Sequence, residues 1–359
     1  VDLACLGGPG WKTTAAIDAL PDGAFVVANE YVPARAAVLR DNLIKWGCPR
    51  VAVSRGDTAA FRKLNGLFDI VATDVPCSGE GMMRKEPEAL AQWSPALVRQ
   101  CAALQREIVA NVWPSLRPGG YLIYSTCTFN REENDRNVDW IVSELGAEPV
   151  AVEFPDSWGI VTDGCMHRFM PHRLNGEGLF MAVLRKPDTE SDGRRNVKAK
   201  LPKGGKPEPV LKKAGEMLRT DMQLSLTLKN DVINALPSDC VAIVGRLSQA
   251  LNLIYSGVDV AVVKGRDIIP THALALSGIL ADDAFVRAEV DYATAIAYLR
   301  RDAVSLPDGT PRGLLLLTYA GRPLGFVKNL GNRTNSLMPQ EWRILSSHVP
   351  DTPPAKLVI

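Results

Sequence analysis

Two cysteines are the residues best placed for covalent chemistry. Cys77 closes the run Asp69-Ile-Val-Ala-Thr-Asp74-Val75-Pro76-Cys77-Ser78-Gly79-Glu80-Gly81, and Cys127 closes Leu122-Ile-Tyr-Ser125-Thr126-Cys127-Thr128. Each therefore lies just past an apolar, strand-like run. In an open α/β sheet that is where ligands bind. A lone cysteine at a strand end is more often a small buried hydrophobe than a nucleophile. Two of them, flanked by Asp-x-Pro and by Ser-Thr, make a stronger case for thiol chemistry.

Other strand ends carry carboxylates and a glycine-rich turn. Gly7-Gly8-Pro9-Gly10-Trp11-Lys12-Thr13-Thr14 precedes a helical stretch and could bring backbone close to a cofactor, but it is neither GxGxxG nor GxxxxGK[ST], which weighs against dinucleotide and P-loop readings. Phe25-Val-Val-Ala-Asn-Glu30 ends on a carboxylate 18 positions past Lys12, and Ser54-Arg55-Gly56-Asp57 ends on another. Such an acid can bind a ribose diol. Singly, each is more often a helix cap or loop residue.

The elements that must hold these residues follow from the pattern. The runs 24–29, 51–54, 68–73 and 121–124 read as strands alternating with helical stretches, which predicts a parallel, doubly wound sheet. Leu97, Cys101, Leu104, Ile108 and Val112 recur at three- and four-residue steps, giving one apolar helix face with Cys101 in the core. Arg117-Pro118-Gly119-Gly120 reads as the break that follows. Downstream, Cys240 to Gly245 and Leu253 to Val263, with a turn at Lys264-Gly265-Arg266, read as a small mixed α/β unit. A last unit pairs the helix 292–300 with strands 314–319 and 324–328 about the turn Ala320-Gly321-Arg322-Pro323. The expected division is 1–187 for the α/β domain, 188–215 for a basic flexible linker, 216–285 for the small mixed unit and 286–359 for the last one.

Composition narrows the class. A chain of 359 residues is long enough for several cores, and 46% hydrophobic with 23% charged residues is ordinary for a soluble globular protein. No apolar run approaches the roughly 20 residues of a membrane helix. The opening Val1-Asp2-Leu3-Ala4-Cys5 has no signal-peptide pattern, so a cytoplasmic setting is expected. Seven cysteines, without CxxC, read as free thiols rather than a disulfide framework or zinc site. A net charge of +1 hides an uneven distribution: Arg194, Arg195, Lys198, Lys200, Lys203, Lys206, Lys212 and Lys213 crowd the linker, solvated or in contact with phosphates.

The sequence resembles the Nol1/Nop2/Sun family of RNA 5-methylcytosine methyltransferases, and more closely its bacterial small-subunit rRNA branch. Asp74-Val-Pro-Cys-Ser-Gly-Glu-Gly81 is similar to the family's D-x-P-C-S-G-x-G motif, and Arg84-Lys85-Glu86-Pro87 and Trp93-Ser94-Pro95 follow it. Gln105-Arg-Glu-Ile108, Leu116-Arg-Pro-Gly-Gly120, Tyr124-Ser-Thr-Cys-Thr128 and Glu132-Glu133-Asn134 continue the family order, and Arg168-Phe169-Met170-Pro171-His172 and Gly176-Glu177-Gly178-Leu179-Phe180 close it. Pro323-Leu-Gly-Phe-Val-Lys-Asn-Leu-Gly-Asn-Arg-Thr-Asn335 with Pro339 looks like the end of a PUA-like RNA-binding domain, where Lys328 and Arg333 are RNA contacts or plain surface charges.

The resemblance implies a Rossmann-like methyltransferase domain followed by small α+β RNA-binding domains, with S-adenosylmethionine as cofactor and no metal. Cytosine C5 is too electron-poor to take a methyl group until a nucleophile adds at C6. By resemblance Cys127 is that nucleophile, Cys77 assists release of the product, and Asp74 donates a proton or hydrogen bond to N3, for which burial must keep its carboxyl protonated. The resemblance also puts the loop Leu6, Gly7, Gly8, Pro9, Gly10, Trp11 and Lys12 around the cofactor's methionine part, Glu30 on its ribose, Asp57 near its adenine, and Asp74 beside it. The implied partner is RNA, as small-subunit rRNA or the assembled 30S subunit, bound by a monomer away from membranes.

Two departures from the family pattern stand out. The family loop reads C-A-A-P-G-G-K, whereas Trp11 here replaces a small residue, and its side chain either obstructs the cofactor or turns outward. The chain also begins almost inside the first strand, so an N-terminally incomplete domain is expected. The competing classes are a catalytically silent RNA-binding protein, a DNA cytosine methyltransferase with Cys77 as nucleophile, and, more distantly, a nicotinamide-dependent oxidoreductase.

Overall fold

The computed structural model describes the chain apart from residues 1, 8–9, 189–208, 266, 347, 349, 351 and 354–359. In chain order the strands are β1 (Asp2–Leu6), β2 (Phe25–Glu30), β3 (Val51–Arg55), β4 (Phe68–Asp74), β5 (Leu116–Thr126), β6 (Glu148–Pro149), β7 (Val161–Asp163), β8 (Met166–Phe169), β9 (Leu179–Arg185), β10 (Leu224–Lys229), β11 (Val232–Pro237), β12 (Leu253–Ser256), β13 (Val258–Lys264), β14 (Asp267–Pro270), β15 (Arg287–Glu289), β16 (Gly313–Tyr319), β17 (Arg322–Asn329) and β18 (Thr334–Ser336). The helices are α1 (Trp11–Ala19), α2 (Pro33–Trp46), α3 (Pro87–Gln92), α4 (Pro95–Val112), α5 (Asp135–Leu145), α6 (Pro209–Gly215), α7 (Val241–Ala250), α8 (His272–Leu276) and α9 (Tyr292–Arg300).

These elements form two compact units. The first takes in the described residues of Val1–Asn42, Arg50–Leu201 and Ala242–Ser256. Its sheet runs β12-β3-β2-β1-β4-β5-β9-β8-β7, with β6 also on β9. Strands β3, β2, β1, β4 and β5 are parallel, and β9 and β12 are antiparallel to their neighbours β5 and β3. The order reverses between β1 and β4, which opens a crevice beyond the carboxyl ends of those strands. All six residues of β2 are buried. This is expected of a central parallel strand covered on both faces, and it explains why its sequence is a continuous apolar run rather than an alternation.

Helix α4 shows how the polar site reshapes packing. Ser94 caps it by accepting from Leu97 N, and Pro95 opens the first turn. The buried face is Val98, Cys101, Ala102, Gln105, Val109 and Val112, so Cys101 is core as expected, whereas Leu104 is exposed. The apolar periodicity misjudged the face because Gln105, at its centre, is polar. Arg117-Pro118-Gly119-Gly120 is likewise not a break: it lies within β5, where β4 passes from Phe68 to Ile70 while β5 passes from Leu116 to Tyr121. Gly119, at φ +70°, lets the strand bulge there and resume.

The second unit takes in the described residues of Leu43–Pro49, Pro202–Val241 and Gly257–Ile359. It has two four-stranded sheets, β10-β11-β13-β14 and β15-β16-β17-β18. One core contains Ala214, Ile233, Val260 and Leu274 together with Leu316 and Phe326, so both sheets share it. Helix α9 and the hairpin β16–β17 fall where the sequence pattern puts them. Two segments do not. Residues 209–215, read as the end of a linker, form α6 with Ala214 buried, because Val210, Leu211 and Ala214 supply an apolar face among the lysines. Residues 242–256, read as part of a small separate unit, belong to the first unit, where β12 extends the large sheet along β3. Most of the basic stretch lies outside the described residues.

Candidate active site

Register brings the two cysteines together. In the parallel pair β4–β5, Asp74 lies opposite Ser125, so the loops that follow leave the sheet side by side. Val75 N donates to Ser125 O and Gly81 N to Cys127 O, continuing the pairing past the strand ends. Cys77 Sγ and Cys127 Sγ are 3.0 Å apart, and both are free and partly buried.

At that separation the two side chains are in hydrogen-bond contact. The hydrogen bond with Cys127, then burial, then the charge on Cys127 push the Cys77 thiol far above the ordinary cysteine range. The same hydrogen bond holds Cys127 below that range, against burial and the carboxylate of Asp74, with the Lys12 ammonium assisting. These directions make Cys127 the more acidic of the two sulfurs and favour Cys77 as the donor. Thiolate is the nucleophilic form.

The cysteines border a cavity of about 370 Å³ whose wall includes Gly7, Asn29, Glu30, Tyr31, Arg35, Thr58, Asp74 and Met82. Glu30 is buried; its Oε1 accepts from Val32 N at 2.9 Å, while Oε2 receives no hydrogen bond and sits 3.2 Å from the Arg35 guanidinium. A buried carboxylate oxygen with spare acceptor capacity on a cavity wall fits the hydroxyl pair of a ribose. Gly7, at φ +93°, lies so close to the backbone of Asp74 that a β-carbon there would stand 2.4 Å from its carbonyl oxygen. Only glycine allows this approach.

Other expected site residues fall in different places. Trp11 turns outward, 64% exposed, with Lys12 Nζ 5.4 Å from its ring centre, so it leaves the cavity clear. Lys12 forms an ion pair with Asp74 at 2.5 Å, each side chain about 30% exposed. Asp74, expected to be buried, is instead partly exposed and paired with a lysine. Asp57 is exposed and caps the short helix at Thr58–Leu64 by accepting from Ala59 N at 2.7 Å; its neighbour Thr58 is the one on the cavity wall. Gly10 starts α1 at φ 109°, Gly8 and Pro9 lie outside the described residues, and Leu6 ends β1. No cluster of His, Cys, Asp or Glu among the described residues could hold a metal.

The sequence assigned no role to Glu80, Gln105, Asn130, Glu133 or Tyr124, yet they form the hydrogen-bond network that holds the loops carrying the cysteines. Glu80 Oε2 accepts from Thr128 Oγ1 at 2.7 Å, Phe129 N at 2.7 Å and Asn130 N at 2.9 Å. Burial pushes the Glu80 carboxyl up, but these donors outweigh it and hold the group below the ordinary glutamate range. Glu133, fully buried, accepts from Ser78 N at 3.0 Å and from Gln105 Nε2 at 2.7 Å. The signal for these residues was a polar residue within an apolar helix period, at Gln105, and acids spaced close behind each cysteine.

An α/β fold with a doubly wound sheet and two cysteines in contact beside a cavity at the strand ends defines a class of group-transfer enzyme. Residues 1–185 match the family described as 16S rRNA methyltransferase RsmB/F, and residues 285–344 match the methyltransferase RsmF PUA domain. The ribosomal RNA small subunit methyltransferase F of Erwinia tasmaniensis is 31% identical over 347 residues, covering 93% of this chain and 71% of that protein; its counterpart from Enterobacter sp. is 32% identical over 353 residues, covering 93% and 70%. Among solved structures, that of NSun6 from Pyrococcus horikoshii with SFG is 26% identical, with a TM-score of 0.47, over 53% of this chain and 48% of that one. The chain belongs to the 16S rRNA methyltransferase RsmB/F family. It is an RNA methyltransferase, and S-adenosylmethionine is the cofactor of that family.

Proposed function

We propose that this enzyme methylates C5 of a cytosine in small-subunit rRNA, free or within the 30S subunit, with Cys127 as nucleophile. The observation that carries the reading is the 3.0 Å contact between Cys127 and Cys77 at the ends of adjacent parallel strands. S-adenosylmethionine, when bound, supplies an electrophilic methyl group. Glu30 would hold its ribose, and the backbone around Gly7, which no β-carbon blocks, would border its methionine part.

The protein's own groups account for the remaining chemistry. The Cys127 thiolate adds to C6 of the cytosine, and electron density moves to C5, which becomes enamine-like. The Lys12–Asp74 pair lies beside Cys127 and offers the base edge both a cationic donor and a carboxylate acceptor. Charge building on the ring is thereby met by the lysine. Once C5 is methylated, its proton passes to solvent water and the C5–H electron pair restores the C5–C6 double bond as the C6–S bond breaks, which frees Cys127 as a thiolate. Cys77 assists by hydrogen-bonding to the Cys127 sulfur as its bond to C6 breaks, which stabilises the departing thiolate.

The test is transfer of labelled methyl from S-adenosylmethionine to unmethylated small subunits by the wild type and by Cys127→Ala and Cys77→Ala. Label on cytosine C5 that vanishes in Cys127→Ala is expected. Cys77→Ala should accumulate a covalent RNA adduct, seen as a shifted protein band that disappears when Cys127 is also replaced. A band that persists in the double variant would refute the assignment.

A further inference from the structure

The loops that carry the two cysteines are held by each other's carboxylates. Glu80, three residues after Cys77, accepts from the side chain of Thr128 and from the backbone of Phe129 and Asn130, the three residues that follow Cys127. In the other direction Glu133, six residues after Cys127, accepts from Ser78 N, the residue that follows Cys77. The Gln105 amide ties the near side of the same loop, donating to Pro76 O at 2.8 Å and to Glu133 Oε2 at 2.7 Å. Asn130 Nδ2 links the two acids, 2.7 Å from Glu133 Oε1 and 3.2 Å from Glu80 Oε1. Ser78 Oγ and Thr128 Oγ1, 3.1 Å apart, close the ring.

We propose that Glu80 and Glu133 are positioning residues that set the separation of the two sulfurs, each acid carried by one cysteine's loop and bonded to the backbone of the other. Every partner of these carboxylates is a donor, so the site requires acceptors only. Burying Glu133 is tolerable because Ser78 N, Gln105 Nε2 and Asn130 Nδ2 replace the water it gave up. A glutamine in either place would turn an NH2 group towards donors, and one loop would have to swing away. The thiol of Cys77 would then no longer reach Cys127.

The inference rests on Cys127 being the nucleophile, but its test does not require RNA. The rate of alkylation of Cys127 by iodoacetamide is followed against pH, with the modified residue mapped by mass spectrometry, for the wild type, Glu133→Gln, Glu80→Gln and Asn130→Ala. Both glutamine variants should move the inflection upward and slow alkylation at neutral pH by about 10-fold, the change that a one-unit loss of thiolate character gives. Asn130→Ala, in which both acids keep their other donors, should show a smaller change in the same direction. If the glutamine variants do not fold, Asn130→Ala decides the matter. In methyl transfer, kcat should fall while KM for rRNA is kept. A folded variant with the wild-type alkylation profile overturns the proposal, whatever its melting temperature. An altered profile in an enzyme that transfers no methyl group would instead leave the clamp standing and overturn the assigned reaction.

Discussion

The two units bury their polar groups differently. At the strand ends of the first unit Ser78, Gln105, Thr126, Thr128, Glu133, Asn134 and Asn137 are all buried, and each is hydrogen-bonded. In the second unit the buried polar side chains among the described residues are His272, Thr318 and Asn329, set among apolar groups such as Leu315, Leu317, Phe326 and Val327. A dense, satisfied polar network costs desolvation free energy and gives a fixed geometry in return. That expense is sensible where two sulfurs must be held in contact, and unnecessary where a domain only presents a surface.

The largest effect should come from Cys127→Ser. A hydroxyl in the same position lacks the thiolate's nucleophilicity, so methyl transfer should fall by ~10³-fold or more, while the chemical denaturation midpoint stays close to that of the wild type. A variant that loses stability as heavily as activity would show that the sulfur matters for packing, and the contrast between the units would weaken.

Gln105→Leu tests the network itself. The glutamine donates to Pro76 O and Glu133 Oε2 and accepts from Asn137 Nδ2 at 2.7 Å, and the Tyr124 hydroxyl lies 2.9 Å from its Oε1. Leucine has the right size but forgoes all four hydrogen bonds and removes the side-chain donor from Pro76 O, while Glu133, Asn137 and Tyr124 keep other partners, at about 0.5–1.5 kcal/mol per bond lost. A loss of roughly 3 kcal/mol or more in urea unfolding is expected. A nearly neutral result would mean that the surrounding network relaxes around the leucine.

The second unit's counterpart is His272. Burial first, and then the charge of Lys45, hold its pKa down at about 4 against an ordinary 6.5, and its Nδ1 has no hydrogen-bond partner. Between those values the unfolded chain binds a proton that the folded one does not. The contribution to stability is therefore fully present above pH 6.5 and is lost as the pH falls to 4, on the order of 3 kcal/mol in all. His272→Asn should vary less than the wild type in denaturation midpoint across that window. Parallel curves would place the acid sensitivity elsewhere.

The same contrast explains what could be read from the sequence. Strands β2 to β5, α9 and the β16–β17 hairpin were legible because apolar runs and turn residues report on burial locally. Cys77, Cys127 and Glu30 were legible because they stand at strand ends, and the structure brings them to one cavity. The Lys12–Asp74 pair, the outward turn of Trp11 and the capping role of Asp57 depend on where side chains point, which spacing alone does not fix. The return of residues 242–256 to the large sheet was also hidden, since β12 meets β3 across roughly 200 residues and nothing local marks that pairing.

The smallest effects are expected on the surface of the second unit. Lys328 is exposed on β17, and Arg333 lies on the wall of a polar cavity of about 410 Å³ with Arg312, Asn332 and Asp308. If these charges meet RNA phosphates, each contributes by releasing a counterion rather than by a buried contact. Lys328→Ala and Arg333→Ala should each weaken binding of small-subunit rRNA a few-fold and lower the slope of log K against log salt by about 1, with kcat unchanged at saturating RNA. A slope that does not move would make both residues ordinary surface charges. A fall in kcat would be harder to reconcile with the contrast drawn here, because it would give the second unit a part in the chemistry that its apolar interior and exposed charges offer no means to perform.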